Sequence, residues 1–278
     1  MRMLVGLTLP SFRSSPGPAL EVAGAAERSG VDGVFAFDHL LGRRPGRPAL
    51  ELTAMLGALA VGTARVALGS LVARASLRHP AALVACLDTV ARISGPRLIA
   101  GVGGGDEESR VEDEAFGVEV PPEQRLALVE AAVAAASGRG YPVWLGGSSA
   151  PMRRLAALRG DGWNAWGTDA ATFAVLSGEV RRLAAEADRG VAHLAGSTGF
   201  ACTWGGLVLT GATEKEAQVK AARLDPAPTV ICGGPERLAE ALLAYREAGA
   251  DWVILAPLDP ADPDNASIVG ELVRPQLG

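Results

Sequence analysis

The sequence predicts an α/β chain folded as a single (β/α)8 TIM barrel over residues 1–278, and three observations carry that expectation. Short apolar runs alternate with longer helix-periodic runs along the whole chain, the pattern of parallel strands buried on both faces and covered by helices. The alternation supplies eight strand-like and eight helix-like segments. No Pro/Gly/Ser-rich linker is long enough to divide the chain, and the glycine fingerprint of a dinucleotide-binding sheet is missing after the first strand, which runs into Pro10-Ser-Phe-Arg-Ser-Ser-Pro-Gly17.

In order, strands are expected at 3–9, 33–37, 66–72, 98–102, 142–145, 162–165, 200–209 and 252–256. Each is a short apolar run, too brief for a helix and without the alternation of a half-exposed strand. Helices are expected between them at 18–29, 49–61, 80–93, 122–136, 150–159, 171–188 and 235–248, with a last one near 266–274. Proline opens several, at 18, 80, 122 and 235, where its missing N–H costs nothing and its φ is already helical. In such a barrel the chemistry sits in the loops after strands, so those loops hold the candidate residues.

Composition narrows the function. With 31 acidic and 26 basic side chains the net charge is −5, and the basic residues are scattered, so no nucleic-acid surface is expected. No run approaches the ~20 apolar residues of a membrane span; Glu130 interrupts the best candidate, 126–136. The N-terminus lacks an extended apolar core and cleavage site and reads as a buried strand, so a cytoplasmic protein is expected. Three cysteines, Cys86, Cys202 and Cys232, each lie in an apolar segment and suit reduced core thiols. Only two lysines occur, Lys215 and Lys220, both in a polar helix-like stretch, which argues against a buried Schiff-base lysine and against a P-loop.

After the second strand comes Asp38-His39, an acid and an imidazole at the barrel mouth that could exchange a proton or bond a bound ring; a histidine capping a loop is the competing reading. Leu68-Gly-Ser-Leu71 follows the third strand with small residues, as a contact with something flat or as a plain corner. The fourth strand ends in Gly101-Val-Gly-Gly-Gly105, which strips side chains so that backbone and ligand can approach. The acidic stretch 106–114 reads mostly as a solvated face, with Asp106 excepted beside the glycines, and residues 103–121 read as a lid-like loop. The fifth strand ends in Gly146-Gly147-Ser148-Ser149-Ala150-Pro151 and enters a helix, an arrangement of amides, hydroxyls and helix dipole suited to phosphate, with Arg153 and Arg154 adding charge or pointing to solvent. Arg43, Arg44 and Arg47 could receive an anion, although a solvated loop explains them too. No Gly-x-Ser-x-Gly or His-Glu-x-x-His motif occurs, and His39, His79 and His193 lack clustered ligand partners, so no metal is expected; His79 reads as a helix-start residue before Pro80.

Taken in order, Gly6-Leu-Thr-Leu-Pro10, Phe37-Asp-His-Leu40, Arg65-Val-Ala-Leu-Gly-Ser70, Leu77-Arg-His-Pro80, Gly95-Pro-Arg-Leu-Ile-Ala-Gly-Val-Gly103, Glu114-Ala-Phe-Gly117, Trp144-Leu-Gly-Gly147, Gly160-Asp-Gly-Trp-Asn164, Thr203-Trp-Gly-Gly206 and Gly233-Gly-Pro-Glu236 resemble the luciferase-like monooxygenase superfamily, in particular its coenzyme F420-dependent branch. The resemblance implies a barrel mouth holding a deazaflavin, or alternatively FMN. It places Asp38 and His39 beside the ring, with His39 as proton donor or orienting group, and has Ser70 begin a non-proline cis bulge behind the ring. Gly104, Gly105 and Ser109 would contact ring or tail, Asp106 would match a catalytic carboxylate, and Gly146, Gly147, Ser148, Ser149, Pro151 and Met152 would form the phosphate loop. The connection 136–142 is shorter than in many relatives, which suggests a more open site.

The activity so implied is hydride transfer between C5 of F420 and a small organic substrate. An FMN monooxygenase supplied by a separate reductase is the alternative, and a cofactor-binding barrel without turnover is a second. A homodimer through helices 49–61 and 80–93 is expected, because both are apolar enough to bury a face beyond the barrel.

Overall fold

The computed structural model describes residues 2–42, 47–105, 109–187 and 199–278. Its strands are β1 (Leu4–Thr8), β2 (Gly33–Ala36), β3 (Ala67–Ser70), β4 (Ala73–Arg74), β5 (Leu98–Gly103), β6 (Val143–Gly146), β7 (Gly162–Trp166), β8 (Ala201–Thr210), β9 (Ile231–Gly233) and β10 (Trp252–Pro257). Eight of them close a barrel in the order β1-β2-β3-β5-β6-β7-β8-β10, and β10 pairs back onto β1. Every ladder is parallel, with Leu4 opposite Trp252 and Gly6 opposite Gly33 in the first two. The (β/α)8 barrel expected from the alternation is therefore the fold. The two extra strands, β4 beside β5 and β9 beside the end of β8, have two and three residues and are too short for any periodic signal.

The helices are α1 (Gly17–Ser29), α2 (Leu52–Gly62), α3 (Pro80–Ser94), α4 (Arg110–Phe116), α5 (Pro122–Ala136), α6 (Ala150–Arg159), α7 (Ala170–Glu186), α8 (Glu214–Leu224), α9 (Pro235–Glu247) and α10 (Asp264–Ser267). A π-helical turn, Ile268–Val273, and a 3-10 turn, Arg274–Leu277, continue α10, so the expected final helix is a composite. Boundaries follow local capping. α2 starts three residues later than the apolar pattern because Glu51 accepts the Ala54 N–H at 2.7 Å, and His79 caps α3 by accepting the Ala81 N–H, as the sequence suggested. Helix α4 occupies the middle of the stretch expected as a lid-like loop.

The barrel interior is closed by an aromatic plug. Phe35, Trp144 and Trp252 meet pairwise at ring separations of 6.2, 5.9 and 5.8 Å, with Ile99 and Ile254 around them. Glycine in neighbouring strands provides the room: a Cβ on Gly69 would lie 2.2 Å from Phe35 Cδ1, and one on Gly162 2.6 Å from Trp144 Cδ1. At the N-terminal end of the barrel an aspartate precedes each of three strands. Asp32, Asp161 and Asp251 donate their backbone N–H to the carbonyls of Val5, Val143 and Cys202, and accept the N–H of those same residues on their carboxylates at 3.0, 2.9 and 2.7 Å. The plug and these clamps hold one end rigid and leave the C-terminal mouth open for a site.

The short connection between α5 and β6 enters β6 at its N-terminal end, where Tyr141 donates to Asp88 at 3.0 Å. It lies at the opposite end from the mouth, so its brevity does not open the site, contrary to the expectation from its length.

Candidate active site

The mouth holds a cavity of about 520 Å³ lined by the ends of β1, β2, β5, β6, β7 and β10. Its floor comes from the turn between β3 and β4, where the Leu71–Val72 peptide is cis and both side chains face the cavity wall. Ser70 itself is fully buried beneath, its hydroxyl donating to the Gly101 carbonyl at 2.7 Å, and it does not line the cavity. The strand glycines explain themselves here. A Cβ on Gly101 would stand 2.1 Å from the Ser70 carbonyl oxygen, and Cβ atoms on Gly103 and Gly146 would stand 2.5 and 2.9 Å from the Val72 methyls. Gly101 and Gly103 thus make room for the bulge of the neighbouring strand, and of the two only Gly103 also borders the cavity, which corrects the reading of Gly101. Gly105 remains special for its backbone, at φ +80°.

Asp38 and His39 sit at the end of β2 with very different surroundings. Asp38 is buried and receives the Arg74 N–H at 2.8 Å and both terminal nitrogens of Arg78 at 2.6 and 2.9 Å. Arg78 also pairs with Glu51. Burial works against the Arg78 charge, but the Asp38 and Glu51 carboxylates outweigh it and raise its pKa above the ordinary guanidinium value. His39 packs its ring against Phe12 at 5.2 Å and bonds through Nδ1 to Glu112 Oε1 at 2.7 Å. Glu112, from α4, also accepts the Leu40 and Leu41 N–H groups on Oε2 at 2.6 and 3.0 Å and pairs with Arg74. Arg74 is buried between Glu112 and Asp113. Both carboxylates are buried, so the expectation that this acidic stretch is mainly a solvated face is wrong at the positions that matter. The reason is tertiary: Arg74 is 38 residues from Glu112 in sequence, and no local pattern announces the pairing.

The remaining wall is aromatic and apolar. Phe37 meets Trp166 edge-on at 5.7 Å, and Trp166 is 40% exposed at the end of β7, an open ring face at the cavity rim. Asn164 below it is held by the Thr203 hydroxyl at 2.8 Å.

Of the residues singled out from the sequence, Asp38, His39, Gly104, Gly105, Ser109, Gly146 and Gly147 line one cavity together. Ser148, Ser149 and Pro151 are exposed at the start of α6, next to its wall but not part of it, and Met152 turns into the core below Gly147. Arg153 pairs with Glu179 at 2.8 Å and bonds the Ser148 carbonyl, while Arg154 is exposed. Arg47 lines the cavity, as does Arg13, and neither forms an ion pair among the described residues. Asp106, Arg43, Arg44 and His193 lie outside the described residues. Arg74, Arg78, Glu112, Phe12 and Trp166 were missed; the one available signal was an arginine, Arg74, set inside the apolar run Leu71-Val-Ala-Arg-Ala75.

A closed parallel barrel with a ring-sized, aromatic-rimmed mouth and a histidine on its wall defines a small-molecule enzyme class. A family model described as luciferase-like monooxygenase matches residues 4–138 and 129–227, and the chain belongs to that family, whose members are F420- or FMN-dependent oxidoreductases and monooxygenases. An F420-dependent glucose-6-phosphate dehydrogenase of Nakamurella multipartita is 35% identical over 98 residues, covering 34% of this chain and 29% of that protein, so the chain aligns with under a third of that relative's length. Among solved structures, an F420-dependent secondary alcohol dehydrogenase in complex with an F420-acetone adduct superposes with a TM-score of 0.83 at 18% identity over 100% of both chains. The coenzyme F420-dependent tetrahydromethanopterin reductase from Methanopyrus kandleri does so at 0.78 and 17% over 100% of both, and the EDTA monooxygenase from Chelativorans sp. BNC1 at 0.79 and 15% over 100% of this chain and 94% of that one. These likenesses show the fold. Among the described residues no helix is long and apolar enough to cross a membrane.

Proposed function

We propose that the chain is a coenzyme F420-dependent oxidoreductase acting on a small organic substrate. The observation that carries the reading is the mouth itself: a cavity of about 520 Å³ floored by Leu71 and Val72, rimmed by Trp166 and flanked by His39. Its donor set fits a ring with carbonyl edges. Among the buried side-chain atoms of described cavity residues, Arg74 Nε has no partner, and it lies against Gly105 where a Cβ would come within 3.2 Å of it. Family membership admits either cofactor, and the F420-dependent relative favours the deazaflavin over FMN.

In this reading Leu71 and Val72 support the ring from below, Gly104, Gly105 and Ser109 border it, and the amides at Gly146–Ser149 with the α6 N-terminus receive the tail phosphate, beside Pro151 and Met152. When bound, the deazaflavin supplies a two-electron hydride donor or acceptor at C5. The chain's own part is to orient and to move a proton. His39 has Nδ1 committed to Glu112, which leaves Nε2 as the nitrogen that exchanges a proton with substrate, and Asp38, clamped by Arg78, fixes the loop that carries it. Asp106 enters only by the family resemblance. Arg13 and Arg47, which line the cavity without an ion pair among the described residues, suit an anionic portion of cofactor or substrate.

Fluorescence titration of F420 tests this against a Ser148→Asp/Ser149→Asp variant. The added carboxylates should weaken binding at least tenfold, about 1.4 kcal/mol, by repelling the phosphate. Unchanged affinity contradicts the tail placement, and binding without any hydride transfer to a panel of carbonyl acceptors would favour a barrel without turnover.

The assembly proposed is a homodimer. α2 and α3 pack on each other and present Ala54, Ala58, Val61, Ala81, Ala85 and Ile93 outward, a face of small and apolar side chains. A cytoplasmic enzyme, partnered by a separate reductase only if FMN is the cofactor, completes the reading.

A further inference from the structure

We infer that Glu112 is a positioning residue that sets the ring orientation and proton placement of His39. The side chain is buried and makes four contacts with two purposes. Oε2 takes the consecutive Leu40 and Leu41 N–H groups at 2.6 and 3.0 Å, pinning the backbone directly after His39, while Oε1 takes the ring at 2.7 Å and pairs with Arg74. One carboxylate therefore fixes both the loop and the ring that the loop carries.

The proton placement follows from donor counting. Two amides and a guanidinium already donate to Glu112, so the carboxylate is an ionised acceptor and the proton in the His39 contact belongs to Nδ1. A neutral His39 then bears its lone pair on Nε2, and a protonated one can release the Nε2 proton to a ligand while keeping Nδ1–H on Glu112. The Nε2–H bond breaks, a bond from that proton to the ligand's accepting atom forms, and the imidazole is left neutral with Nδ1–H still on Glu112. A third group that fixes the tautomer of a catalytic imidazole is a known physical device, and its loss costs turnover rather than binding.

Arg74 is shared with Asp113, and the neighbouring Arg78 is held by Asp38 at 2.6 Å and by Glu51. Helix α4 thus brings both buried carboxylates that face Arg74, and the one that holds His39, to the mouth. Glutamine cannot substitute. Its carbonyl could still accept from Nδ1, but its NH2 would face the Leu40 and Leu41 donors.

The proton exchange with substrate rests on the proposed function, while the positioning does not, and the test separates them. Ring 15N spectra of the full chain without added cofactor, with His39 assigned by its disappearance in a His39→Gln variant, read the tautomer directly. In the wild type His39 should show a protonated Nδ1 and a bare Nε2 at high pH; the opposite tautomer, or fast exchange between the two, overturns the proposal without any Glu112 variant. Glu112→Ala should lose that preference and lower kcat for F420-linked turnover ten- to hundredfold, with KM for F420 changed less than threefold. Asp113→Asn removes the other carboxylate on Arg74 and should leave the His39 tautomer intact even where it lowers Tm as much. An unchanged tautomer in Glu112→Ala, or equal disturbance in both variants, overturns the positioning role. A correct tautomer in a protein that binds no F420 leaves the positioning standing and removes the function.

Discussion

Gly103 illustrates how single residues shape the mouth by what they omit. Its missing Cβ leaves the space that a Val72 methyl fills, so Gly103→Ala places a carbon 2.5 Å from that methyl and must push the floor toward the cavity. The expected outcome is a loss of about 1–3 kcal/mol in stability by thermal melt, typical of overpacking, and a larger fractional loss of F420 affinity. Arg78 is the converse case, a residue that matters by what it supplies. Arg78→Met leaves the buried Asp38 carboxylate with the Arg74 N–H and no guanidinium, so about 3 kcal/mol of stability should go, by the general cost of stranding a buried charge. Neither residue's role was readable locally. Asp38-His39 stood out as an adjacent acid and imidazole after a strand, but their partners Arg78 and Glu112 lie 40 and 73 residues away, and such ion pairs exist only once the barrel closes.

Elements were legible in proportion to their length. The eight barrel strands and most long helices follow from apolar periodicity; α8, polar with one buried residue, was legible only as a helix-like stretch, and β4, β9 and α4 are short and owe their form to neighbours. Two devices tie elements at the N-terminal end. Three aspartates pin register between adjacent strands, and Asp161→Ala should lose both a charged acceptor and the Val143 register clamp, costing about 1.5–3 kcal/mol in an unfolding titration. Glu27, on α1, accepts the Ala64 and Arg65 N–H groups at 2.7 and 2.8 Å and so fixes the approach to β3. Burial favours its protonated form, but the Arg65, Ala64 and Val66 amides outweigh it and hold its pKa below 4.5. A folded pKa below the unfolded one means stability that is complete above the unfolded value and is lost as pH falls through the folded value. Glu27→Gln should therefore lower Tm at pH 7 and flatten its fall below about pH 4.5, as differential scanning calorimetry across pH 3–7 would show. A variant whose acid slope matches the wild type would contradict this assignment.

The whole molecule is a barrel rigid at one end and receptive at the other. The aromatic plug of Phe35, Trp144 and Trp252 and the aspartate clamps leave the C-terminal mouth as the place where glycine turns, a histidine and two arginines converge. The outward face of α2 and α3 belongs to this scale too. Light scattering should give twice the 28.4 kDa chain mass, and Ala58→Glu with Ala85→Glu should halve it without changing the melt. If the mouth selects a deazaflavin, a side-by-side titration of the wild-type chain with F420 and FMN under identical salt and pH will show it. F420 should bind saturably, one to one and at least tenfold more tightly than FMN; tighter FMN binding, or binding of neither, overturns the selection of a deazaflavin.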